Sequence, residues 1–429
     1  MIEIEKTAAL RHLGRGSRGL EESVSYSLGH QIRIEIRAAL HEGPAPAAQL
    51  AKLLRRPLNT VEYHLKGLLD DGSIVIARTE KVGNLDRYYY AVVELPYFTD
   101  HEVAAMRVED RQALYAMIAQ AATAEVLASL WAQKIAYDRR AMLAWNRINL
   151  DKQGRDELAD EDASSWCRKE EIETRSANRR AETGEVGKTY IITSFSYERS
   201  RAAPPEPLAP HNMSAADVAS GIAALRCLGT AARSVEDSVS YSLGHRIRIE
   251  IRAALHEGPA TAAQLAEIVS QPTDRVEHHI REMLSDRIIE VSKVVKVGNI
   301  LHNHYSVVSL PFFSDEEMAA MSVGDRQALY AMIAQAATAE VLASLWAQKI
   351  AHDRRAMLAW NRINLDKQGR DELADEDAAS WRRKEEIEAR SANRRVETGE
   401  VGKTYVITSF SYERSRDTPP EPLTEIDGA

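Results

Sequence analysis

The sequence predicts a helix-rich α+β protein built as two tandem copies of one unit, and three observations predict it. The octapeptide Ser23 to His30 returns at Ser238 to His245, 215 residues on, and the register still holds where Pro204-Pro205-Glu206-Pro207-Leu208 returns as Pro419 to Leu423. Each copy opens on short amphipathic helical patterns followed by two β-branched and aromatic runs. Each then closes on a small helical α/β pattern: a long apolar run, a long charged run and two strand-like runs. A period this long describes two multidomain halves, not a solenoid.

Length and composition bound the rest. A chain of 429 residues is too long for one ordinary core, and 44% hydrophobic with 28% charged residues is a globular balance. No run approaches the roughly 18 apolar residues of a membrane helix, so no membrane partner is expected. Met1 to Leu20 carries charges throughout and predicts no secretory signal. Cys167 and Cys227 lack cysteine counterparts in the other copy, which argues against a disulfide framework and for a cytoplasmic location. With a net charge of −9 and a pI near 5.9, any nucleic-acid binding must rest on local features.

The elements of copy one follow in order. Ile32, Ile34, Ile36 and Leu40 make a helix that Gly43-Pro44 stops. Ala47 to Leu54 makes a second short helix, and after Arg55-Arg56-Pro57 a third runs from about Leu58 to Asp70, the pairing expected of a helix-turn-helix. On the third helix Val61, Leu65, Leu68 and Leu69 form one apolar stripe. The opposite face carries Asn59, Thr60, Glu62, Tyr63 and Lys66, groups suited to base edges and phosphates. Gly72 ends that helix, and the runs 74–78 and 87–92, separated by Gly83-Asn84, form a hairpin with Lys81 and Arg87 placed for phosphate.

These residues resemble the ArsR-like winged helix-turn-helix transcription regulators. The resemblance is carried by Ser27-Leu28-Gly29-His30-Gln31-Ile32-Arg33, Ala48-Gln49-Leu50-Ala51, Val61-Glu62-Tyr63-His64-Leu65-Lys66, Asp71-Gly72 and the aromatic second hairpin strand. It spans about seventy residues per copy. Downstream of Leu95-Pro96-Tyr97-Phe98-Thr99-Asp100 the chain looks like the longer actinobacterial-type members. The resemblance implies a DNA-binding repressor or activator that works as a dimer under a metal or small-molecule signal. The family's cysteine metal ligands are absent here.

Copy two keeps the apolar stripe as Val276, Ile280, Met283 and Leu284 but presents Asp274, Arg275, Glu277, His278 and Arg281, with Lys293 and Lys296 on its hairpin. Residues 47–92 hold seven basic and five acidic side chains, whereas residues 262–307 hold five and six. Copy one is therefore the expected stronger DNA binder. Arg287 replaces the turn glycine Gly72.

Farther along, Thr99-Asp100 and Ser314-Asp315 read as helix caps and a helical run follows from about Asp110 to Arg139. Residues 141–150 read as strand, Lys152 to Thr183 as a charged helix with a solvated face, and Lys188 to Tyr197 as strand. Dimerisation or sensing is the expected work of this part. From residue 110 to 200 only six positions differ from copy two: Tyr137/His352, Ser164/Ala379, Cys167/Arg382, Thr174/Ala389, Ala181/Val396 and Ile191/Val406. Differences concentrate upstream, through selection for different surfaces or through recombination that homogenised the downstream parts.

Other motifs weigh less. Gly14-Arg15-Gly16-Ser17-Arg18-Gly19 has the spacing of a dinucleotide loop but no strand before it and no counterpart in copy two. His278, His279, His302 and His304 lack a companion cysteine or acidic ligand, His64 reads as a packed residue, and the repeated tryptophans read as core. No nucleophile–base pair or phosphate loop stands out, so neither an enzyme nor a cofactor is expected.

The expected layout is an N-terminal segment 1–20, a winged helix-turn-helix 21–95, a helical α/β dimerisation or sensing domain 96–200 and a Pro/Ala-rich linker 201–220. It then repeats as a winged helix-turn-helix 221–310, a helical α/β domain 311–416 and a tail 417–429. The expected function is a sequence-specific transcription regulator on double-stranded DNA, its two winged helices forming a pseudo-dimer on dissimilar half-sites. Intrachain pairing of the repeats or a homo-oligomer and an unknown small-molecule effector are the other expected partners. The alternative is a protein-interaction scaffold.

Overall fold

The computed structural model describes residues 19–83, 85–93, 100–131, 142–198, 234–256, 258–298, 300–308, 320–346 and 356–413, with positions 223 and 317. The expected linker 201–220, the tail 417–429, Cys227, Thr99, Ser314 and most of the Gly14–Gly19 motif lie outside the described residues. The chain divides into two compact units. One holds residues up to Ala128 with Leu243–Arg246, and the other holds Ser129–Ser242 with Ile247–Ser415.

In the first unit α1 (Leu20–Leu28) and α2 (Gln31–Leu40) precede a two-residue strand β1 (Ala45–Pro46), α3 (Ala47–Leu54) and α4 (Leu58–Asp70). The hairpin β2 (Ile74–Val82) and β3 (Leu85–Val92), then α5 (Asp100–Ala105) and most of α6 (Val108–Trp131), complete it. The strands run antiparallel in the order β1-β3-β2. One core gathers Ile32 and Ile36 of α2, Leu50 of α3, Val61, Leu65 and Leu68 of α4, and Ile74 and Val92 of the hairpin. The stripe that marks α4 in the sequence is thus the face it buries.

α1 has no apolar periodicity to announce it, because its buried face is largely serine: Ser23, Ser25 and Ser27 join Val24 and Leu28 there. Small side chains allow close packing there, and Ser27 donates to the Val24 carbonyl at 3.0 Å while Gln120 of α6 donates to Ser27.

In the second unit α8 (Val235–Leu243), which lies there up to Ser242, α9 (Arg246–Leu255), β6 (Ala260–Thr261), α10 (Ala262–Ile268), α11 (Thr273–Ser285), β7 (Ile289–Val297) and β8 (Ile300–Val307) repeat that order. Their core centres on Ile251, Leu265, Val276, Ile280 and Met283. This unit also holds α12 (Val323–Trp346) and the elements β4 (Met142–Leu150), α7 (Lys152–Thr183), β5 (Lys188–Glu198), β9 (Met357–Leu365), α13 (Lys367–Thr398) and β10 (Lys403–Glu413).

These last strands form a single sheet in the order β4-β10-β5-β9, antiparallel throughout. β4 and β5 come from copy one, β9 and β10 from copy two, so every pairing joins one copy to the other. β4 and β5 are not neighbours in it, and neither copy closes this sheet alone. The apolar clusters are mixed in the same way. Ile148, Leu150 and Leu158 pack with Ile387, Tyr405 and Ile407, and Ile172, Tyr190 and Ile192 pack with Ile363, Leu365 and Leu373.

The charged helix covers the predicted span. Asp151 caps it by accepting from the Gly154 amide at 2.6 Å, and Gly184 in the left-handed region (φ 72°) ends it. It carries the expected solvated face, and its other side packs on α13. There Lys169 meets Asp377 at 2.7 Å and Lys384 meets Asp162 at 2.6 Å, all four side chains buried. Arg168 reaches Glu376 and Arg383 reaches Glu161, both at 2.9 Å. At the ends Arg394 forks onto Asp151 and Arg179 onto Asp366. Hydrogen bonds from Arg394, opposed by burial and helped by the Gly154 amide, hold the Asp151 carboxyl down at about 2, and Arg179 holds the Asp366 carboxyl well below the usual carboxylate range.

The expectation that no helix has the length and composition of a membrane span is also revised. α6 and α12, 24 residues each, pass that test through alanine-rich windows, but 89% of each window is buried inside the protein, as in a core helix.

Candidate nucleic-acid interface

Helices α3 and α4 are joined by a three-residue turn in which Arg55 takes the left-handed conformation (φ 53°) and the Arg56 amide donates to the Ala51 carbonyl at 3.0 Å. Pro57 then starts α4 with its fixed φ, leaving the helix N-terminus and its exposed first turn facing outward. Burying Val61, Leu65 and Leu68 turns Asn59, Glu62, Tyr63 and Lys66 to solvent, with Tyr63 72% exposed. Thr60 is half-buried, and its amide donates to the Asn59 Oδ1 at 2.9 Å.

Three contacts fix α4 within its unit. Arg37 of α2, buried, donates to the Ser73 carbonyl at 3.1 Å beside Asp71, which accepts from Ser73 Oγ. Burial pulls the Arg37 guanidinium down to about 10, partly opposed by Asp71. At Gly67 the absent Cβ admits the Tyr26 hydroxyl, whose ring also carries the Arg33 guanidinium 3.7 Å above it. His64 stacks at 4.4 Å on His30, whose Nδ1 caps α2 by accepting from the Ile32 amide. Burial, then His30 and Arg33, push the His64 imidazole down to about 4, so it packs as a neutral ring beneath the exposed face.

The hairpin brings Lys81 and Arg87 to the exposed strands, but each faces a carboxylate across the ladder: Lys81 pairs with Asp86 and Arg87 with Glu80. Glu80 also accepts from the Tyr89 hydroxyl at 2.8 Å, and the Arg78 guanidinium lies 3.9 Å over the Tyr89 ring. Arg78 and Arg55 are exposed basic groups flanking α4 that the sequence reading passes over. The Arg55-Arg56-Pro57 break is the signal that marks Arg55.

In the second unit Asp274, Arg275, Glu277, His278 and Arg281 are exposed on α11. Arg275 is drawn to Gln271 at 3.1 Å, and Arg281 to the Glu277 carbonyl at 3.4 Å. The hairpin there differs in kind. Lys293 lies opposite His304 and Lys296 opposite Leu301, with no carboxylate across from either. The acidic balance of copy two therefore sits on its helices and at the hairpin base. His278 and His279 contact edge to face at 5.3 Å, yet among the described residues no three histidine, cysteine or acidic side chains gather as a metal site. Glu282 stands where copy one has Gly67, and it accepts from Tyr241 at 3.3 Å.

Residues 28–75, from the end of α1 to the start of β2, match the family model described as a helix-turn-helix domain. The match supports a DNA-binding domain in that stretch, and DNA as its partner. No curated protein and no solved structure matches the chain.

Proposed function

We propose that this chain is a sequence-specific transcription regulator of ArsR-like, winged type, in which two helix-turn-helix modules on one polypeptide act as a pseudo-dimer on dissimilar half-sites. The observation that carries the pairing is the sheet in which every strand of copy one hydrogen-bonds only to strands of copy two. A dimerisation device that regulators of this kind make from two chains would here be made from one.

Unlike reading faces then imply unlike half-sites, because operator symmetry follows protein symmetry. Asn59, Thr60, Tyr63 and Lys66 are assigned to bases or nearby backbone in copy one, with Lys81 and Arg87 on phosphate. Asp274, Arg275, His278, Arg281, Lys293 and Lys296 are the counterparts in copy two. No catalytic role is assigned to any residue. The scaffold alternative is not favoured, since the helix-turn-helix match points to DNA. Selection of bound DNA from a random pool tests the proposal: one chain on two dissimilar half-sites is expected, and a perfect palindrome occupied by two chains overturns it.

A further inference from the structure

The exchanged sheet makes no chemical distinction between its own chain and another. Its principal ion pairs occur twice with the same residue types. Lys169–Asp377 is matched by Lys384–Asp162, Arg179–Asp366 by Arg394–Asp151, and Lys188–Glu413 by Lys403–Glu198. The loops repeat the rule: Glu400 accepts from the Lys152 amide and Glu185 from the Lys367 amide, both at 2.8 Å.

The few differences between the copies miss these contacts. Ser164, Cys167, Thr174 and Ala181 are exposed on α7, and Ile191/Val406 changes one methylene on a buried strand position. Among the described residues, these ion pairs do not select the copy two that follows on the same chain over the copy two of a neighbour. Covalent connection favours the former, through an effective concentration on the order of millimolar.

We propose that a second copy of this chain is a partner through this same sheet: copy one of each chain pairs with copy two of the other, closing a two-chain assembly with two exchanged sheets. The number of strand pairings per chain is unchanged, so the assembly forms by mass action wherever chains fold together at high concentration. Four helix-turn-helix modules then ride on one particle. The inference rests on the sheet and not on the DNA reading, and it stands or falls without DNA.

The test unfolds affinity-tagged and untagged full-length chains together in urea, refolds them at about 100 µM or about 1 µM, and reads particle mass by light scattering and capture of untagged chain on the tag. A two-chain species of about a tenth or more is expected at the higher concentration, falling to about a hundredth or less at the lower. Single chains alone at both concentrations overturn the proposal, as does a two-chain species undiminished by dilution. A chain carrying Asp151→Arg with Arg394→Asp keeps its own pairing but sets like charges against wild type. It is expected to form two-chain particles with itself and none with tagged wild type. Mixed particles formed as readily as unmixed ones would place the contact elsewhere and overturn the assignment. If the doubly substituted chain does not fold, the concentration dependence of the wild-type mixture decides alone.

Discussion

Arg147 on β4 of copy one holds Glu340 on α12 of copy two, its Nε 3.1 Å from the carboxylate, in a setting where the Glu340 side chain is only 1% exposed. Trp145 donates to the same carboxylate at 2.9 Å, and Arg147 also donates to the carbonyl of His256 at the end of α9. A strand of one copy thereby meets the carbonyl end of α9 and neutralises the buried acid of α12 in the other copy.

Truncating Arg147 to alanine is expected to cost about 3 kcal/mol in urea unfolding, because it strands a buried carboxylate. Glu340→Gln, which keeps a polar partner for Trp145 without the charge, is expected to cost less than Arg147→Ala. A coupling near zero in the double-mutant cycle would show that the pair contributes nothing.

Acid acts on the first unit through His64. Its folded imidazole takes a proton only below about 4, whereas the unfolded one takes it below the ordinary value of 6.5. Between those limits the unfolded state binds more protons, so stability falls as pH falls, by about 2 kcal/mol from pH 7 to 5. His64→Gln is expected to flatten that slope in paired urea titrations.

At the end of α4 the chain turns through Gly72 (φ 75°), and the matching turn after α11 uses Arg287 at φ 55°. A residue with a Cβ is strained there by about 1 kcal/mol. Arg287→Gly is expected to stabilise by that amount and Gly72→Ala to destabilise comparably, read from denaturant midpoints of the single variants.

On DNA, Asn59→Ala is expected to relax preference at one base position by about 1–3 kcal/mol, and Lys81→Ala to weaken all sequences and reduce the salt slope by about 1. Because Asp86 sits opposite Lys81, Asp86→Asn is expected to tighten binding at low salt. Salt titrations on a selected site and on random DNA check all three variants.

What the sequence determined by itself is local. The stripe on α4, the hairpin turning at Gly83-Asn84 and the charged helix Lys152 to Thr183 are read from local patterns, which act over a few residues. The exposed face of α4 follows from its buried one, so the exposure of Asn59, Glu62, Tyr63 and Lys66 was legible too. α1 was not, because serines bury its face.

Tertiary structure alone decided which strand pairs with which. β4 and β5 carry the same alternating pattern as β9 and β10, and pattern names a face but never a neighbour. It also decided that one side of α7 sets its charges against a second helix, and that Lys81 and Arg87 lie across the hairpin from Asp86 and Glu80. Charge counts along a chain cannot contain that information, since electrostatic partners are set by distance in space and two near-identical copies offer the same partners twice.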